Sequence, residues 1–363
     1  MMGMIFIPII VYILFWVVME YYFYKDESNE VCEVENVSVK CCIIICAFNE
    51  EKNIQNCLQN ITEQNFDKNT IEIIVVDDGS YDNTFEVAKR ILEGSGFCFR
   101  IIRNEKNIGK KRSIEKAINE INRESEWIIL RDADTYTKSS NWLKTLINSK
   151  TKNADLVIAP VIVNTDKINF LNSYEYYENL ALMHLNYSSW KLEHPILCNA
   201  ANMAFKKEVF LELQPYKDNY TISSGDDIFL LQKFYKSRKR IINVFCSESI
   251  VYTYLADSVK KRMLQKWRWI SKINAVSDGL NTFVALLIAL VNVFILLLLM
   301  ISLKAFILYF ILKMIVDLKI VITVQKKLRL NDICYTKFFI AEVVYIPYVC
   351  ALIFIYIYRT IRK

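Results

Sequence analysis

Glycine is scarce in this sequence, seven residues in 363, and proline scarcer still at five. There is no internal repeat and no low-complexity tract, which leaves out repeat arrays and biased-composition linkers. No long Lys/Arg tail accompanies the net charge of +6, so nothing points to nucleic acid as a partner. The ten cysteines show no metal-ligand spacing. Cys41, Cys42 and Cys46 lie in or beside an apolar run and read as small buried hydrophobes in a reducing compartment. Residues 1–4 carry no positive side chain, and no small-x-small cleavage site follows the apolar run after them. An uncleaved anchor is therefore expected there, not a signal peptide.

What the chain does have is an apolar surplus: 53% hydrophobic residues at a mean hydropathy of +0.20. The surplus gathers at 5–24 and from about 282 onward. This partition predicts a transmembrane anchor over 1–24, a polar linker over 25–38 and a globular domain over 39–259. An interfacial amphipathic helix region over 260–280 and a membrane region over 281–363 follow. Spans are expected over 282–303, 306–324 and 338–358. Lys313, Asp317 and Glu342 fall inside the last two, where they are costly unless paired. Lys260-Lys261-Arg262 and Lys326-Lys327-Leu328-Arg329 read as positive-inside flanks meeting anionic headgroups.

Within the globular part, 41–46 is a short, β-branched apolar run, the pattern of a strand buried on both faces; 71–76 reads as a second buried strand, and 99–103 and 127–130 as a third and a fourth. Between them apolar residues recur at helical spacing: Ile54, Leu58 and Ile61; then Phe85, Ala88, Ile91 and Leu92; then Ile114, Ala117, Ile118 and Ile121. Asn49 is expected to cap the first of these helices. The alternation predicts an α/β domain with a doubly wound, mostly parallel sheet. Further on, a strand is expected over 155–163, a helix over 175–190 and a strand over 198–205. A basic amphipathic helix is expected over 260–272.

In such sheets ligands bind at the carboxyl ends of the strands. Polar clusters stand there three times, as Ala47-Phe48-Asn49-Glu50, Asp77-Asp78-Gly79-Ser80 and Asp132-Ala133-Asp134. Asp132 and Asp134 are two apart, so extended backbone sends both carboxylates to one side. That is a hard-oxygen set suited to Mg²⁺ or Mn²⁺, with a solvated turn as the alternative. Asp77 and Asp78 can accept from a base or ribose, and Gly79-Ser80 leads into a helix N-terminus that favours anions. Ser80 or Asp82 serves equally as a helix cap. Lys110 and Lys111 either reach a diphosphate as point charges or form a solvated turn. Asp226 and Asp227 open a helix after Gly225, as N-caps or with one as a general base. Gly79, Gly109 and Gly225 each sit in a polar motif, where backbone turns tightly or approaches a ligand. Gln265, Arg268 and Trp269 share one helical face.

Taken in order, Cys46–Glu50, Asp77–Ser80, 107–110, Asp132–Asp134, 199–205, Gly225–Asp227 and Gln265–Trp269 resemble the membrane-bound family 2 glycosyltransferases with a GT-A fold, over about 39–270. Gln265, Arg268 and Trp269 match that family's Gln-x-x-Arg-Trp motif. The resemblance implies that 39–259 is a GT-A catalytic domain. Its reaction would be an inverting transfer from a nucleotide-sugar donor to a membrane lipid or lipid-linked glycan, with Mg²⁺ or Mn²⁺ as cofactor. It implies that Asp78 contacts the nucleobase, Asp132 the nucleotide and Asp134 the metal, and that Asp227 is the base. Asp226 stands where the family usually has Glu. Phe48, Asn49, Glu50, Asp77, Lys110, Lys111, Gln265, Arg268 and Trp269 complete the expected donor site. The catalytic domain is expected on the cytoplasmic face of a bacterial inner membrane, in cell-envelope glycan or glycolipid synthesis. A processive polysaccharide synthase is the alternative enzyme, and an inactive membrane scaffold the alternative of another class.

Overall fold

The structure, a computed structural model, describes residues 6–25, 34, 39–148, 151, 153–166, 168–222, 224–256, 258–270, 278–331 and 333–361, without the side chains of 269, 270 and 359–361. Most of the linker expected over 25–38, and 271–277 of the interfacial region, lie outside the described residues.

Helix α1 (Ile7–Tyr24) is followed by β1 (Cys41–Ala47), α2 (Ile54–Thr62), β2 (Ile71–Asp77), α3 (Thr84–Glu93), β3 (Cys98–Arg103), α4 (Lys110–Glu120) and β4 (Trp127–Asp132). These four strands are parallel, in a register that sets Ala47 beside Asp77 and Cys46 beside Asp132. Next come β5 (Thr135–Tyr136), α5 (Trp142–Leu146), β6 (Leu156–Ile158), β7 (Val161–Val163), α6 (Ser173–Lys191), β8 (Met203–Lys206), α7 (Lys207–Leu213), α8 (Asp226–Lys236), β9 (Ile241–Asn243) and β10 (Val251–Thr253). The main sheet runs β3-β2-β1-β4-β8-β6-β9, with β8 antiparallel to both neighbours. The strand order reverses between β1 and β4, the switch point where a doubly wound sheet opens a crevice.

The continuous apolar runs follow from two covered faces. Cys41, Ile43 and Ile45 pack with Ile54, Leu58, Ala88 and Leu92 of α2 and α3. Cys42 and Ile44 pack with Ile114, Ala117 and Ile118 of α4 and Leu230, Leu231 and Phe234 of α8.

Local details depart from the expectations. The strand expected over 155–163 is two strands, β6 in the main sheet and β7 in a small β5-β10-β7 sheet. Pro160 stands between them and has no N–H to continue a ladder. A 3₁₀ turn over Ala200–Asn202 shortens the strand expected over 198–205. Asn49 does not cap α2, whose N-cap position is Asn53. Asn49 is instead left-handed, with φ 58°. Ser80 caps nothing either; Asp82 accepts from the Thr84 N–H at 3.0 Å.

The chain divides into two compact units. One comprises Ser28–Ile162 and Leu197–Tyr254 and holds the sheet; the other comprises Met1–Glu27, Val163–Ile196 and Leu255–Lys363. The second unit contains α1, α6, α9 (Val259–Ile270), α10 (Gly279–Ile301), α11 (Leu303–Leu328) and α12 (Tyr335–Ile361). Three of its helices, α1, α10 and α12, are long and apolar enough to cross a membrane. Helix α12 runs unbroken through Pro347. The charges inside the expected spans are paired within the bundle: the Lys313 ammonium lies 2.5 Å from Asp317 and 2.6 Å from Glu342, and the Tyr12 hydroxyl donates to Asp317. Cys41, Cys42 and Cys46 are free, but Cys246 is disulfide-bonded, a departure from a fully reduced set.

Candidate active site

The carboxyl edge of the sheet unit is assembled from the ends of β1, β2 and β4 and the start of α8. Asp77 ends β2 fully buried, accepting from the Ser80 N–H at 2.9 Å and facing the Arg103 guanidinium at 3.3 Å. Asp78 is buried too. Its two oxygens accept from Asn104 Nδ2, the Ile108 N–H and the Gly109 N–H, each at 2.9 Å, so it fixes the loop that leads into α4. Gly79 is obligatory beside it: at φ +77° an added Cβ would lie 2.6 Å from the Lys106 carbonyl carbon.

At the end of β1, Asn49 joins two strand ends. Its N–H donates to Ser80 Oγ at 2.9 Å and its Oδ1 accepts from the Tyr81 N–H at 3.2 Å. The left-handed backbone is what lets one residue do both. Phe48 is exposed and meets Tyr81 edge-to-face with centroids 6.0 Å apart. Tyr81 was not among the expected site residues, although an aromatic directly after Asp-Asp-Gly-Ser is a readable signal. Arg103 and Asn104 were also missed; with Gly79, Ser80 and Glu105 they line a cleft of about 350 Å³.

Lys110 is the hub. Its Nζ stands 2.6 Å from Asp132 Oδ1 and 2.8 Å from Asp226 Oδ2, tying the end of β4 to the first turn of α8. Burial works against the ammonium, but the two carboxylates outweigh it and hold its pKa well above the usual lysine range. Asp134 sits in the opposite situation. Burial, then the charges of Asp132 and Glu50, push its carboxyl up to about 7. Glu50 is likewise raised, by burial and then by Asp132 and Asp82, against a hydrogen bond from Asn53 that lowers it. Acids shifted upward by neighbouring acids mark a place short of positive charge. A divalent cation fits that deficit. Among the described residues no three His, Cys, Asp or Glu side chains stand ready to hold an ion. Two carboxylates would leave the remaining positions to water and phosphate oxygens, as Mg²⁺ prefers.

Asp226 is committed to Lys110, whereas Asp227 is half-buried, with its Oδ1 taking the Ile228 N–H at 2.7 Å. Gly225 precedes them at φ 90°. Lys111 is turned to another task. Buried, it donates to the Asn219 and Ile222 carbonyls at 2.8 and 3.0 Å and lies over the Phe229 ring, pinning the segment before Gly225.

Gln265 and Arg268 belong to α9 in the helical unit, Gln265 half-buried and Arg268 exposed; the Trp269 side chain lies outside the described residues. The lysines of this helix do not all face water as an anchor would have them. Lys266 is buried against Glu178 of α6, and Arg262 lies 3.6 Å from Glu175 of the same helix.

Residues 42–213 match the family model of glycosyl transferase family 2. A cholesterol galactosyltransferase of Borreliella burgdorferi is 26% identical over 214 residues, 55% of this chain and 56% of that protein. An uncharacterized protein of Methanocaldococcus jannaschii is 38% identical over 117 residues, 31% of this chain and 48% of that protein. A poly-beta-1,6-N-acetyl-D-glucosamine synthase of Staphylococcus aureus is 28% identical over 142 residues, 36% of this chain and 32% of that protein. The chain therefore spans about half the length of the first two and about a third of the last. Among solved structures, a mannosyltransferase of Pyrobaculum calidifontis in complex with GDP-Man and Mn²⁺ shares the fold, with a TM-score of 0.59 at 17% identity over 77% of this chain and 74% of that one.

Proposed function

We propose that this chain, whose residues 42–213 match the model of glycosyl transferase family 2 and whose sheet unit has a GT-A fold, transfers a sugar, with inversion, from a nucleotide-sugar donor to a hydroxyl of a membrane lipid or lipid-linked glycan. The observation that carries the reading is the Lys110 bridge between Asp132, expected on the donor side, and Asp226, the first residue of the acid pair of α8. The nucleobase would lie against Phe48 and Tyr81, beside the cleft at Arg103. Asn49 and Asp78 hold the loops that shape this place, and the Lys110 ammonium can move onto the diphosphate.

Asp132 and Asp134 would hold Mg²⁺ or Mn²⁺, which supplies neutralisation of the charge that develops on the departing diphosphate. Asp227, half-buried beside Asp226 in the first turn of α8, would take the proton of the attacking hydroxyl. The motif that Gln265, Arg268 and Trp269 match would serve the donor or acceptor, a planar guanidinium suiting a phosphate better than an ammonium does. Asp227→Asn should lower transfer by about 10²-fold or more while donor affinity stays unchanged. Lost donor affinity would move Asp227 out of the base role.

The sheet unit would face the cytoplasm, since Lys326, Lys327 and Arg329 cluster at the end of α11 that lies toward Tyr24. The disulfide at Cys246 weighs the other way. Cys98 is free and exposed, so in a Cys334→Ser variant a membrane-impermeant maleimide should label it only after lysis. Labelling in sealed cells would reverse the orientation. A processive synthase is the second reading, favoured by the similarity to the poly-beta-1,6-N-acetyl-D-glucosamine synthase. Product length after incubation with donor separates the two.

A further inference from the structure

The helical unit holds a cavity that the transfer reaction does not use. It measures about 440 Å³ and opens where α11 ends and α12 begins. Ile322, Leu330, Ile333 and Tyr335 supply apolar walls, and Lys326 and Arg329 stand at its rim. Both cations are exposed, and among the described residues neither makes an ion pair.

Cations in the last turn of a helix complement its carbonyl end, which accounts for Lys326. It does not account for Arg329. That residue sits at the position just past the helix, left-handed at φ 51° and ψ 42°, where glycine or asparagine is usual. The turn closes on hydrogen bonds from the Leu330 N–H to the Gln325 carbonyl at 2.9 Å and from the Arg329 N–H to that of Lys326 at 3.3 Å. Glycine would close the same turn without strain, so the strained arginine calls for a use of its side chain.

Position supplies the ligand's class. The apolar stretch of α12 starts at Tyr335, so the cavity lies at headgroup depth, where an interfacial tyrosine is expected. Thr323, one turn earlier on α11, donates to Glu20 at 2.7 Å, which puts the cavity at the Tyr24 end of the bundle. A forked guanidinium and an ammonium above apolar walls match a phosphate carrying acyl chains. We propose that the α11–α12 turn binds the phosphate headgroup of an anionic membrane lipid, independently of donor and acceptor.

The test is the melting temperature of the full chain in neutral maltoside micelles, titrated with phosphatidylglycerol, phosphatidylcholine or inorganic phosphate. Phosphatidylglycerol should raise the melting temperature and phosphatidylcholine should not. Lys326→Gln should weaken the phosphatidylglycerol midpoint roughly fivefold, and Lys326→Gln with Arg329→Gln roughly 25-fold. Arg329→Gly separates binding from folding: without lipid it should melt at or above the wild type, yet respond more weakly to phosphatidylglycerol. Lys304→Gln, at the other end of α11, should respond as the wild type does. Equal shifts from the two lipids, the full shift from inorganic phosphate alone, an undiminished response in the Lys326 and Arg329 variants, or an equal loss in Lys304→Gln would each overturn the site.

Discussion

Replacing Lys110 with Met removes the ammonium and keeps the aliphatic stem. In the wild type that ammonium lies 2.6 Å from Asp132 and 2.8 Å from Asp226. Opposite unit charges about 3 Å apart, at an effective dielectric of about 20, attract by about 5 kcal/mol before desolvation and screening are taken off. The Lys110 and Asp132 side chains keep 30% and 33% of their surface, so water reclaims most of the gain on that side and leaves about 1 kcal/mol. Asp226 keeps only 11%, and taking this cation from so buried a carboxylate costs about 2 kcal/mol. The cation-free variant should therefore lose about 3 kcal/mol of stability, measured by denaturant unfolding of the detergent-solubilised protein. Manganese can neutralise the same carboxylates, so it should stabilise the variant more than the wild type, and chelator should reverse the difference. Transfer should fall in the variant even with manganese, because the diphosphate loses a cation. An unchanged unfolding midpoint would mean that Lys110 is a solvated turn residue and that the bridge between β4 and α8 carries no weight.

Two further outcomes are expected. Gly79→Ala should destabilise the sheet unit by about 2 kcal/mol or more, because the new Cβ meets Lys106 backbone at 2.6 Å; Gly96→Ala, at φ +73° in open space, should cost only about 1 kcal/mol. Paired melting curves check this, and equal losses would refute the steric argument. In α9, Arg268→Lys should impair transfer, Lys261→Ala should cost little, and Lys266→Ala should lower the melting temperature by stranding Glu178. Similar activities for Arg268→Lys and Lys261→Ala would reduce the helix to an electrostatic anchor.

What the sequence made legible was position along the chain. Strands buried on both faces leave continuous apolar runs, and a carboxylate directly after such a run must stand at the sheet's carboxyl edge. Asp77, Asp78 and Asp132 were readable on that ground alone. Partners were not readable. Lys110 and Lys111 are adjacent and chemically identical, yet one faces Asp132 and the other holds the Asn219 and Ile222 carbonyls. Which way each turns depends on α8 and on the loop before it, more than a hundred residues away. Helix α6, expected over 175–190, is present, but the unit it joins was hidden for a different reason. It is buried nearly all round, with Tyr174, Tyr177, Leu180, His184 and Tyr187 on different sides, so no stripe shows which unit it joins. Its Glu178 and Glu175 then engage Lys266 and Arg262, whose sequence context speaks only of a basic membrane flank.

The same edge explains why a cation belongs in the scheme at all. Asp132 and Asp226 hold the ammonium of Lys110, and the carboxyls of Asp134 and Glu50 are raised first by burial and then by the neighbouring carboxylates. A diphosphate brought to such an edge would add to the repulsion, however well its base and ribose fitted. Asp132 and Asp134 would hold a divalent ion that supplies the missing positive charge. With Asp132 so engaged, the Lys110 ammonium would be able to turn toward the leaving group. The contact with Lys110 thus gives Asp226 a positioning role, and the Asp227→Asn variant tests separately whether its neighbour takes the acceptor's proton.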